Sequence, residues 1–376
     1  MGASLENLAT PSLILDETIM LRNIERLERR LAALGVSARP HLKTVKSVDA
    51  ARRVLRNAKG ATVSTLREAE VFAEAGVTDI LYAVGIAPQK LPRVLAIRAK
   101  GCDLVVVLDS LDQARATAEA SRKAGHAIPA LIEIDCDGHR SGLAPDDPKV
   151  VEIARILVDG GAELRGVVTH AGESYGARGE ASLIAFAERE RDAVVVAAAL
   201  LGDAGFACPV VSVGSTPTAH FARNLIGVTE LRAGVYVFFD LVQTGIGICG
   251  LEDIALSVLT TVIGHQHERG WIMIDAGWMA LSRDRGTASQ TIDQGYGVVC
   301  DIDGQVLDGL IVTITNQEHG VIALRPGSGA KLPDMPVGTM LRILPNHACA
   351  TAAQFDGYHV LTTSGGLDYW TRFRGW

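Results

Sequence analysis

The chain has 376 residues, of which 48% are hydrophobic and 21% are charged, and its formal net charge is −7. This composition is typical of a soluble globular enzyme with room for more than one core. No predicted helix carries a basic stripe, which excludes a nucleic-acid surface. The longest apolar stretch, near residues 194–201, is far shorter than the roughly 20 residues of a membrane span.

In chain order, helical and strand-like segments alternate through the first two-thirds of the sequence. Apolar side chains in residues 24–34 follow the spacing of one helix face. Thr65 and Glu68 form a capping box that would begin a later helix, and Gly125 and Gly160 stand where two other helices would end. Eight short apolar segments are predicted strands: residues 37–42, 61–64, 79–84, 103–108, 130–134, 165–169, 209–213 and 229–232.

Strands that are apolar on both faces and separated by helices indicate parallel pairing with helical crossovers. Eight such units closing on themselves predict an α/β fold, a (β/α)8 barrel over residues 17–245. An open doubly wound sheet is the alternative. No GxGxxG follows the first strand, which argues against a dinucleotide-binding version of that sheet.

The pattern changes after residue 245. Residues 246–376 contain short strand-like segments separated by turns and almost no helical periodicity, so a second, all-β domain is predicted there. A further strand-like segment, Pro11–Leu15, precedes the first helix. We expect residues 1–16 to add to the β-domain.

Polar or glycine-rich segments follow several predicted barrel strands. The catalytic and ligand-binding residues of such barrels lie at these C-terminal strand ends. The segments are Lys43 after the first strand, residues 135–142 after the fifth, 170–175 after the sixth, 214–218 after the seventh and 232–236 at the eighth. Asp135 and Asp137 could serve acid–base chemistry or hold Asx turns in their loop.

Lys43 and the last two segments together suggest a cofactor. A lysine is a solvated surface residue in most proteins, and the segment 214–218 alone could be a plain turn with a helix cap. Small residues and hydroxyls after strands seven and eight are also the usual phosphate site of this architecture. A phosphate site opposite a lysine amine predicts pyridoxal phosphate (PLP), whose aldehyde forms a Schiff base with the amine.

His347 and Cys349 follow a predicted strand at residues 340–344. If the chain stays extended, both side chains point to the same face. An imidazole and a thiolate there could hold a divalent ion such as zinc, with coordination positions left for water and substrate. An isolated HxC is a weak signal by itself.

Six motifs occur in the order found in one known family: RPHLKTVKS, DGHRSG, THAGESY, VGSTPT, TELRAGVYVFFD and PNHAC. The chain resembles the D-threonine aldolase and D-serine dehydratase family along nearly its whole length. That resemblance implies the alanine-racemase-like fold, fold type III, in which a PLP-binding barrel precedes a β-domain. The chain departs from many relatives at Val45, where they have a histidine.

The resemblance also implies residue roles. Lys43 would form the Schiff base and act in catalysis, Arg140 would lie near the phenolic oxygen, His170 against the ring face, and Tyr175 near the ring nitrogen. His347 and Cys349 would hold the active-site metal, with zinc expected and manganese or magnesium as alternatives. The phosphate would be surrounded by Ser215, Thr216, Gly234 and Tyr236.

The implied activity is dehydration of a D-3-hydroxy amino acid, favouring threo-3-hydroxy-D-aspartate and giving oxaloacetate and ammonia. Family aldolases carry an aspartate where this chain has Cys349, so the thiol favours dehydration. D-threonine or 3-hydroxy-D-aspartate aldolase, D-serine dehydratase, racemase and a non-catalytic PLP carrier are the alternatives. A homodimer is also implied, in which the β-domain of one subunit reaches the barrel mouth of the other.

Overall fold

The computed structural model describes residues 4–376, so residues 1–3 of the predicted 1–16 extension lie outside it. The described chain divides into two compact units. The β unit runs up to Glu25 and resumes over Val235–Arg374, and the barrel unit comprises Arg26–Gly234 with Gly375–Trp376. The first strand and helix are β1 (Ser12–Asp16) and α1 (Glu17–Leu34), and α1 crosses the division between the units.

The barrel unit contains eight parallel strands in the order β2-β9-β8-β7-β6-β5-β4-β3. They are β2 (Ser37–Ala38), β3 (Ala61–Val63), β4 (Asp79–Gly85), β5 (Asp103–Leu108), β6 (Pro129–Ile134), β7 (Glu163–Thr169), β8 (Val210–Val213) and β9 (Glu230–Leu231). The helices between them are α2 (Val48–Val54), α3 (Leu66–Glu74), α4 (Leu91–Arg98), α5 (Leu111–Ala124), α6 (Lys149–Asp159), α7 (Glu180–Asp203) and α8 (Thr216–Phe221).

The two strands at the ends of that order, β2 and β3, also come together and close the sheet. Just beyond β2, Leu42 N donates to Thr62 O of β3, and Thr62 N donates to Pro40 O, each over 2.8 Å. The predicted (β/α)8 barrel is therefore confirmed. β5 is buried from Leu104 to Leu108, as expected for a parallel strand covered on both faces.

Local sequence signals account for the helix ends. Thr65 caps α3, its Oγ1 accepting from Glu68 N over 3.0 Å, and Glu68 Oε2 accepts from Ser64 N over 2.9 Å. Gly125 ends α5 at φ +65°, a left-handed conformation that glycine adopts without a Cβ clash. The predicted helix start at Thr65 and the predicted stop at Gly125 are confirmed, but Glu68 accepts from Ser64 N and not from the Thr65 N–H that a capping box requires.

The β unit is built on a nine-stranded sheet with β1 in its interior. The order is β11-β14-β13-β12-β15-β10-β1-β16-β17, and β10 also pairs with β11, so six antiparallel strands close into a second barrel. Its strands are β10 (Leu256–Gln266), β11 (Trp271–Ile274), β12 (Gly297–Cys300), β13 (Val306–Thr315), β14 (Gly320–Leu324), β15 (Met340–Pro345), β16 (Gly357–Leu361) and β17 (Leu367–Thr371), with short helices α9 (Leu241–Gly245), α10 (Trp278–Leu281) and α11 (Ala348–Ala352).

The described strand at the N-terminus, β1, pairs antiparallel with β10 and parallel with β16. Residues 235–245 also belong to the β unit. Phe238 O accepts from Ala255 N over 2.8 Å, and the Phe238 ring lies 5.6 Å from that of Tyr358. The division at Gly234 therefore precedes the predicted boundary at residue 245. Within residues 4–376, no helix combines the length and apolarity needed to cross a membrane.

Candidate active site

Lys43 lies at the end of the barrel where β2 and β3 finish. His41 N donates to Ala233 O, and Leu42 N donates to Thr62 O, so hydrogen bonds hold the segment before Lys43 on both sides. Leu42 O then accepts from the backbone N–H groups of Val45 and Lys46, which makes a turn. Leu42 and Thr44 are buried whereas Lys43 is exposed, so the turn presents its amine at the barrel end.

Positive and titratable side chains gather around Lys43. Burial, followed by the charge of Lys43, lowers the pKa of His41 well below its usual range, and Arg232, His170 and Arg140 act in the same direction. Burial also lowers the pKa of His170 to about 3, with smaller contributions from Lys43 and Arg140. The structure thus brings Lys43, Arg140 and His170 within electrostatic range of one another and keeps both imidazoles neutral.

His170 and Tyr175 follow β7. His170 Nδ1 lies 2.5 Å from Gly214 O, which assigns the proton to Nδ1 because a carbonyl oxygen only accepts. The Tyr175 ring, in the 3-10 turn Gly172–Gly176, lies 6.4 Å from the His170 ring at a tilt of 44°. Ser174 and Ser215 share a hydroxyl hydrogen bond of 2.9 Å, which ties this turn to the end of β8.

The loop that carries Arg140 packs on the same 3-10 turn. Asp135 Oδ1 accepts from Asp137 N and Gly138 N over 3.0 and 2.7 Å, which is the Asx arrangement considered for this loop. His139 Nδ1 lies 2.6 Å from Glu173 Oε1. Asp137 Oδ2 accepts from Glu173 N over 2.8 Å, so both aspartates support this loop, and Arg140 is exposed.

The ends of β8 and β9 supply small residues and hydroxyls. Ser215 caps α8, its Oγ accepting from Thr218 N over 3.2 Å. The Thr216 Oγ1 atom is buried and has no hydrogen-bond partner in the part of the chain that the structure describes. At Gly234, a Cβ would lie 3.1 Å from His41 O and 3.2 Å from Thr44 Oγ1. Since an unpaired buried hydroxyl is costly, these residues fit a ligand with acceptor oxygens such as a phosphate.

Glu190 of α7 is a site residue that sequence reasoning missed. Its buried Oε1 accepts from Ala171 N over 2.9 Å and from Gly214 N over 3.0 Å, and burial raises the pKa of its carboxyl. It thereby joins the loops after β7 and β8. One signal was available: Glu190 shares the buried face of α7 with Ala187, Val194 and Ala197, so it interrupts an apolar stripe.

Arg232 is the second missed residue. It is 5% exposed, and its guanidinium donates to Ser212 Oγ and Thr169 O. Glu230 completes the network by accepting from Ser212 Oγ over 2.7 Å and from Arg39 Nε over 2.6 Å. A buried charge needs such partners, and the residues of this network come from four different barrel strands or their extensions.

His347 and Cys349 lie in the β unit, directly after β15. His347 is extended and caps α11, but Cys349 lies in the first turn of that helix. The condition of an extended chain, on which the shared face of this pair depended, is therefore not met. The two side chains nevertheless meet, because Cys349 hydrogen-bonds the His347 imidazole.

Asp284, also missed from the sequence, orients the imidazole. Its Oδ2 lies 2.5 Å from His347 Nδ1. Burial lowers the pKa of His347, but Asp284 and Cys349 outweigh it and raise that pKa to about 11. The imidazole is therefore protonated on both nitrogens at neutral pH. A metal ion would displace one of these protons, because a ligating imidazole is neutral. A carboxylate on Nδ1 leaves Nε2 for a metal, so the donor set fits a two-ligand site.

Two buried side chains fix the backbone of this segment. Asn346 Oδ1 accepts from Thr287 N over 3.0 Å, and its Nδ2 donates to Gly295 O over 2.7 Å. Asp240 Oδ2 accepts from Ala348 N over 2.9 Å. Among residues 4–376, no group of three or more His, Cys, Asp or Glu side chains is arranged to hold a metal.

Tyr236 is buried in the 3-10 turn Val235–Val237, which belongs to the β unit, whereas Ser215, Thr216 and Gly234 belong to the barrel unit. The structure therefore groups seven of the predicted PLP-binding residues in one unit and describes Tyr236 in the other.

Two family profiles cover most of the chain. The alanine racemase N-terminal domain matches residues 15–242, and the putative serine dehydratase domain matches residues 255–361. The chain belongs to the alanine racemase N-terminal domain family, in the branch that carries this dehydratase domain. It is 54% identical to D-threo-3-hydroxyaspartate dehydratase of Delftia sp. (strain HT23), over 100% of both chains.

Other relatives agree with that placement. D-serine dehydratase of Dictyostelium discoideum is 30% identical over 96% of each chain. Among solved structures, a cysteine-to-alanine mutant of D-threo-3-hydroxyaspartate dehydratase in the metal-free form superposes with a TM-score of 0.97, at 54% identity and 100% coverage of both chains. D-threonine aldolase from Filomicrobium marinum gives a TM-score of 0.83 at 27% identity, covering 99% of this chain and 97% of that one.

Proposed function

We propose that the protein is a PLP- and divalent-metal-dependent dehydratase that converts threo-3-hydroxy-D-aspartate to oxaloacetate and ammonia. The observation that carries the proposal is 54% identity to D-threo-3-hydroxyaspartate dehydratase over the full length of both proteins. The orphaned Thr216 hydroxyl and the His347–Asp284 contact support the two sites that this reaction needs.

Seven barrel-unit residues would hold the cofactor: Lys43 covalently, Arg140, His170 and Tyr175 around the ring, and Ser215, Thr216 and Gly234 at the phosphate, where Tyr236 would join them. PLP supplies an electron sink for the charge left at Cα. The Lys43 amine would remove the Cα proton. His170, with its proton on Nδ1 and a pKa lowered by burial, would present a neutral ring face.

His347 and Cys349 would hold the metal, and the thiolate favours zinc over the harder manganese or magnesium ions. A divalent metal supplies Lewis-acid stabilisation of the departing hydroxide. Solved structures of D-threo-3-hydroxyaspartate dehydratase support this assignment, because they include a histidine-to-alanine mutant and a cysteine-to-alanine mutant, the latter in the metal-free form. The mutated positions are two residues apart, histidine first, as His347 and Cys349 are.

Incubation of the pure protein with DL-threo-3-hydroxyaspartate tests the reaction. Oxaloacetate and ammonia in equal amounts are expected. Glycine and glyoxylate would instead identify an aldolase, and turnover of D-serine alone would identify a D-serine dehydratase. Stable PLP binding without turnover of any of these amino acids would indicate a non-catalytic PLP carrier.

Metal removal provides a second test. Treatment with EDTA is expected to abolish turnover, and added zinc or manganese to restore it, because hydroxide is a poor leaving group without a Lewis acid. Absorbance of bound PLP should persist through the same treatment. Full activity of protein shown by elemental analysis to be metal-free would contradict the mechanism.

We also propose a cytoplasmic homodimer. The six cysteines all lie in the described part of the chain, and none forms a disulfide, which is consistent with a reducing compartment. Light scattering coupled to size-exclusion chromatography is expected to give twice the 39.8 kDa chain mass. A mass of one chain at micromolar concentration would contradict the dimer.

A further inference from the structure

A tight turn joins α10 to the carboxylate that contacts His347. Ser282 adopts φ +72°, in the region where L-residues are strained. Its N donates to Trp278 O over 2.9 Å, and its Oγ accepts from Asp284 N over 3.0 Å. The turn is therefore held in one conformation on both sides of Arg283, and the next residue, Asp284, reaches His347 Nδ1.

Arg283 is exposed and lies over the Trp278 ring, with its guanidinium carbon 4.6 Å from the ring centroid. Within residues 4–376 it makes no hydrogen bond or ion pair. Its neighbour Arg285 differs, since it forms an ion pair with Asp293. Stacking thus orients the Arg283 guanidinium and leaves its N–H donors available to an anion.

The other arginines of the β unit either have their donors engaged or lie far from His347. The engaged arginines bond to carboxylate, carbonyl, hydroxyl or amide oxygens; they are Arg22, Arg285, Arg325, Arg342, Arg372 and Arg374.

Arg269 also stacks on a tryptophan, Trp271. It follows the C-terminal end of β10, whereas His347 follows the end of β15 that is next to the start of β10. The length of β10 separates them by about 30 Å. Among the β-unit arginines of the described residues, Arg283 is consequently the one that adjoins the residue contacting His347 and also has N–H donors available to a ligand.

The proposed substrate needs a positively charged side chain close to His347 and Cys349. Threo-3-hydroxy-D-aspartate carries its hydroxyl and its β-carboxylate on the same carbon. A metal held by His347 and Cys349 would act on that hydroxyl, so the β-carboxylate would lie beside the metal site. Arginine is the residue best suited to bind a carboxylate through two parallel hydrogen bonds.

We propose that Arg283 binds the β-carboxylate and thereby selects dicarboxylic 3-hydroxy amino acids over D-serine, which lacks that group. This inference rests on the proposed function. The adjacent Asp284 orients the metal ligand His347, so one turn would supply both the support of the metal site and the recognition of the substrate.

Steady-state kinetics of the metal-loaded holoenzyme test the proposal. For Arg283→Ala, the ratio of kcat/KM for threo-3-hydroxy-D-aspartate to that for D-serine is expected to fall about a hundredfold, as loss of a charge-assisted bidentate contact predicts. The Ki of malate, a hydroxy dicarboxylate, should rise similarly. Arg283→Lys should recover part of both losses. Arg285→Ala is the matched control and should leave the ratio unchanged.

Zinc affinity, measured by chelator competition, distinguishes binding from structural support. If Arg283 binds the substrate and does not support the metal ligands, Arg283→Ala should keep the wild-type zinc affinity. Equal losses with both substrates, accompanied by weaker zinc binding, would overturn it and show that Arg283 acts through Asp284. Unchanged selectivity and malate inhibition would overturn it as well. If the wild-type enzyme turns over neither substrate, the proposed function itself fails.

Discussion

Lys43 and Lys46 lie in the same turn but in different surroundings. Lys43 is exposed at the barrel end, whereas Lys46 Nζ forms an ion pair of 3.3 Å with the buried Glu68. An amine already engaged by a carboxylate is a poor nucleophile toward an aldehyde. Borohydride reduction of the PLP-loaded protein is therefore expected to label Lys43 alone.

Trypsin distinguishes the two lysines cleanly. Cleavage does not occur between Arg39 and Pro40, so a label on Lys43 should give a modified peptide of residues 31–46. A label on Lys46 would instead appear in residues 44–52. Lys43→Ala should lose the visible absorbance and turnover, and Lys46→Gln should keep the label at Lys43. A modified 44–52 peptide from wild-type protein would refute the assignment.

Glu190 offers a second test at the residue scale. Glutamine retains an oxygen that can accept from Ala171 N and Gly214 N, whereas alanine leaves both buried donors unpaired. Each such donor costs about 1–3 kcal/mol. Glu190→Ala is thus expected to lower the free energy of unfolding by about 2–6 kcal/mol and to weaken PLP binding, because the loops of His170 and Ser215 lose their common support.

Glu190→Gln is the matched control and should stay close to wild type in both urea unfolding and PLP titration. If glutamine were as damaging as alanine, the carboxyl group itself rather than its acceptor geometry would be required. If alanine were harmless to PLP affinity, Glu190 would support the fold without positioning the site.

At the scale of elements, the end of β8 depends on glycine. Gly214 has φ +150°, and a Cβ there would lie 1.8 Å from Arg232 O. Gly214→Ala is expected to cost about 3 kcal/mol or more through backbone strain and overpacking, and to weaken PLP binding by displacing Ser215. Unfolding in urea and fluorescence titration with PLP measure the two effects.

Gly202 in α7 is the matched control for this substitution. A Cβ at Gly202 meets nothing within 4 Å, so Gly202→Ala should stabilise the helix by about 0.5–1 kcal/mol. A Gly214→Ala variant as stable as Gly202→Ala would show that the β8 turn relaxes more easily than its close contacts indicate.

Regular elements were predictable from the sequence because their signals are local. The predicted strand at residues 103–108 is β5, and the segment 229–232 contains β9. Alternating apolar segments, a helix-capping threonine and a helix-ending glycine each act within a few residues. The overall (β/α)8 arrangement follows from them because parallel strands with helical crossovers have few ways to close.

The supports of the candidate site were not predictable because their partners are remote in sequence. Asp284 contacts His347 across 63 residues, and Asp240 binds Ala348 N across 108. Asp240 accepts from the first N–H of α11, and Cys349 lies in that helix rather than in an extended segment. The PLP-binding and metal-binding roles of the predicted residues stay predictions, which the labelling, chelation and kinetic experiments test.

The described chain, residues 4–376, contains two closed sheets, each in its own unit. In the barrel unit, closure surrounds polar residues as well as apolar ones, including the buried Arg232 and Glu230 and the half-buried His41 and His170. Enclosing such groups reduces stability in return for a preorganised site. The effect on folding should be visible in the dependence of unfolding on pH.

His170 should contribute to the pH dependence of the free energy of unfolding. Its pKa is about 3 in the folded protein and near 6.5 when unfolded. Between these values the unfolded chain binds one more proton, so stability rises with pH and is lost as pH falls below 6.5. In cofactor-free protein, this one histidine should remove about 2 kcal/mol of unfolding free energy between pH 6.5 and pH 5.

His170→Asn isolates the effect, because asparagine can still donate to Gly214 O but does not titrate. Urea unfolding of both proteins at pH 5 and pH 7 should show the smaller pH difference in the variant. Buried carboxyls such as Glu190, whose pKa is raised, shift stability in the opposite direction but are common to both proteins. Equal pH differences would mean that His170 accepts a proton in the folded state, and the ring face offered to PLP would then be cationic rather than neutral.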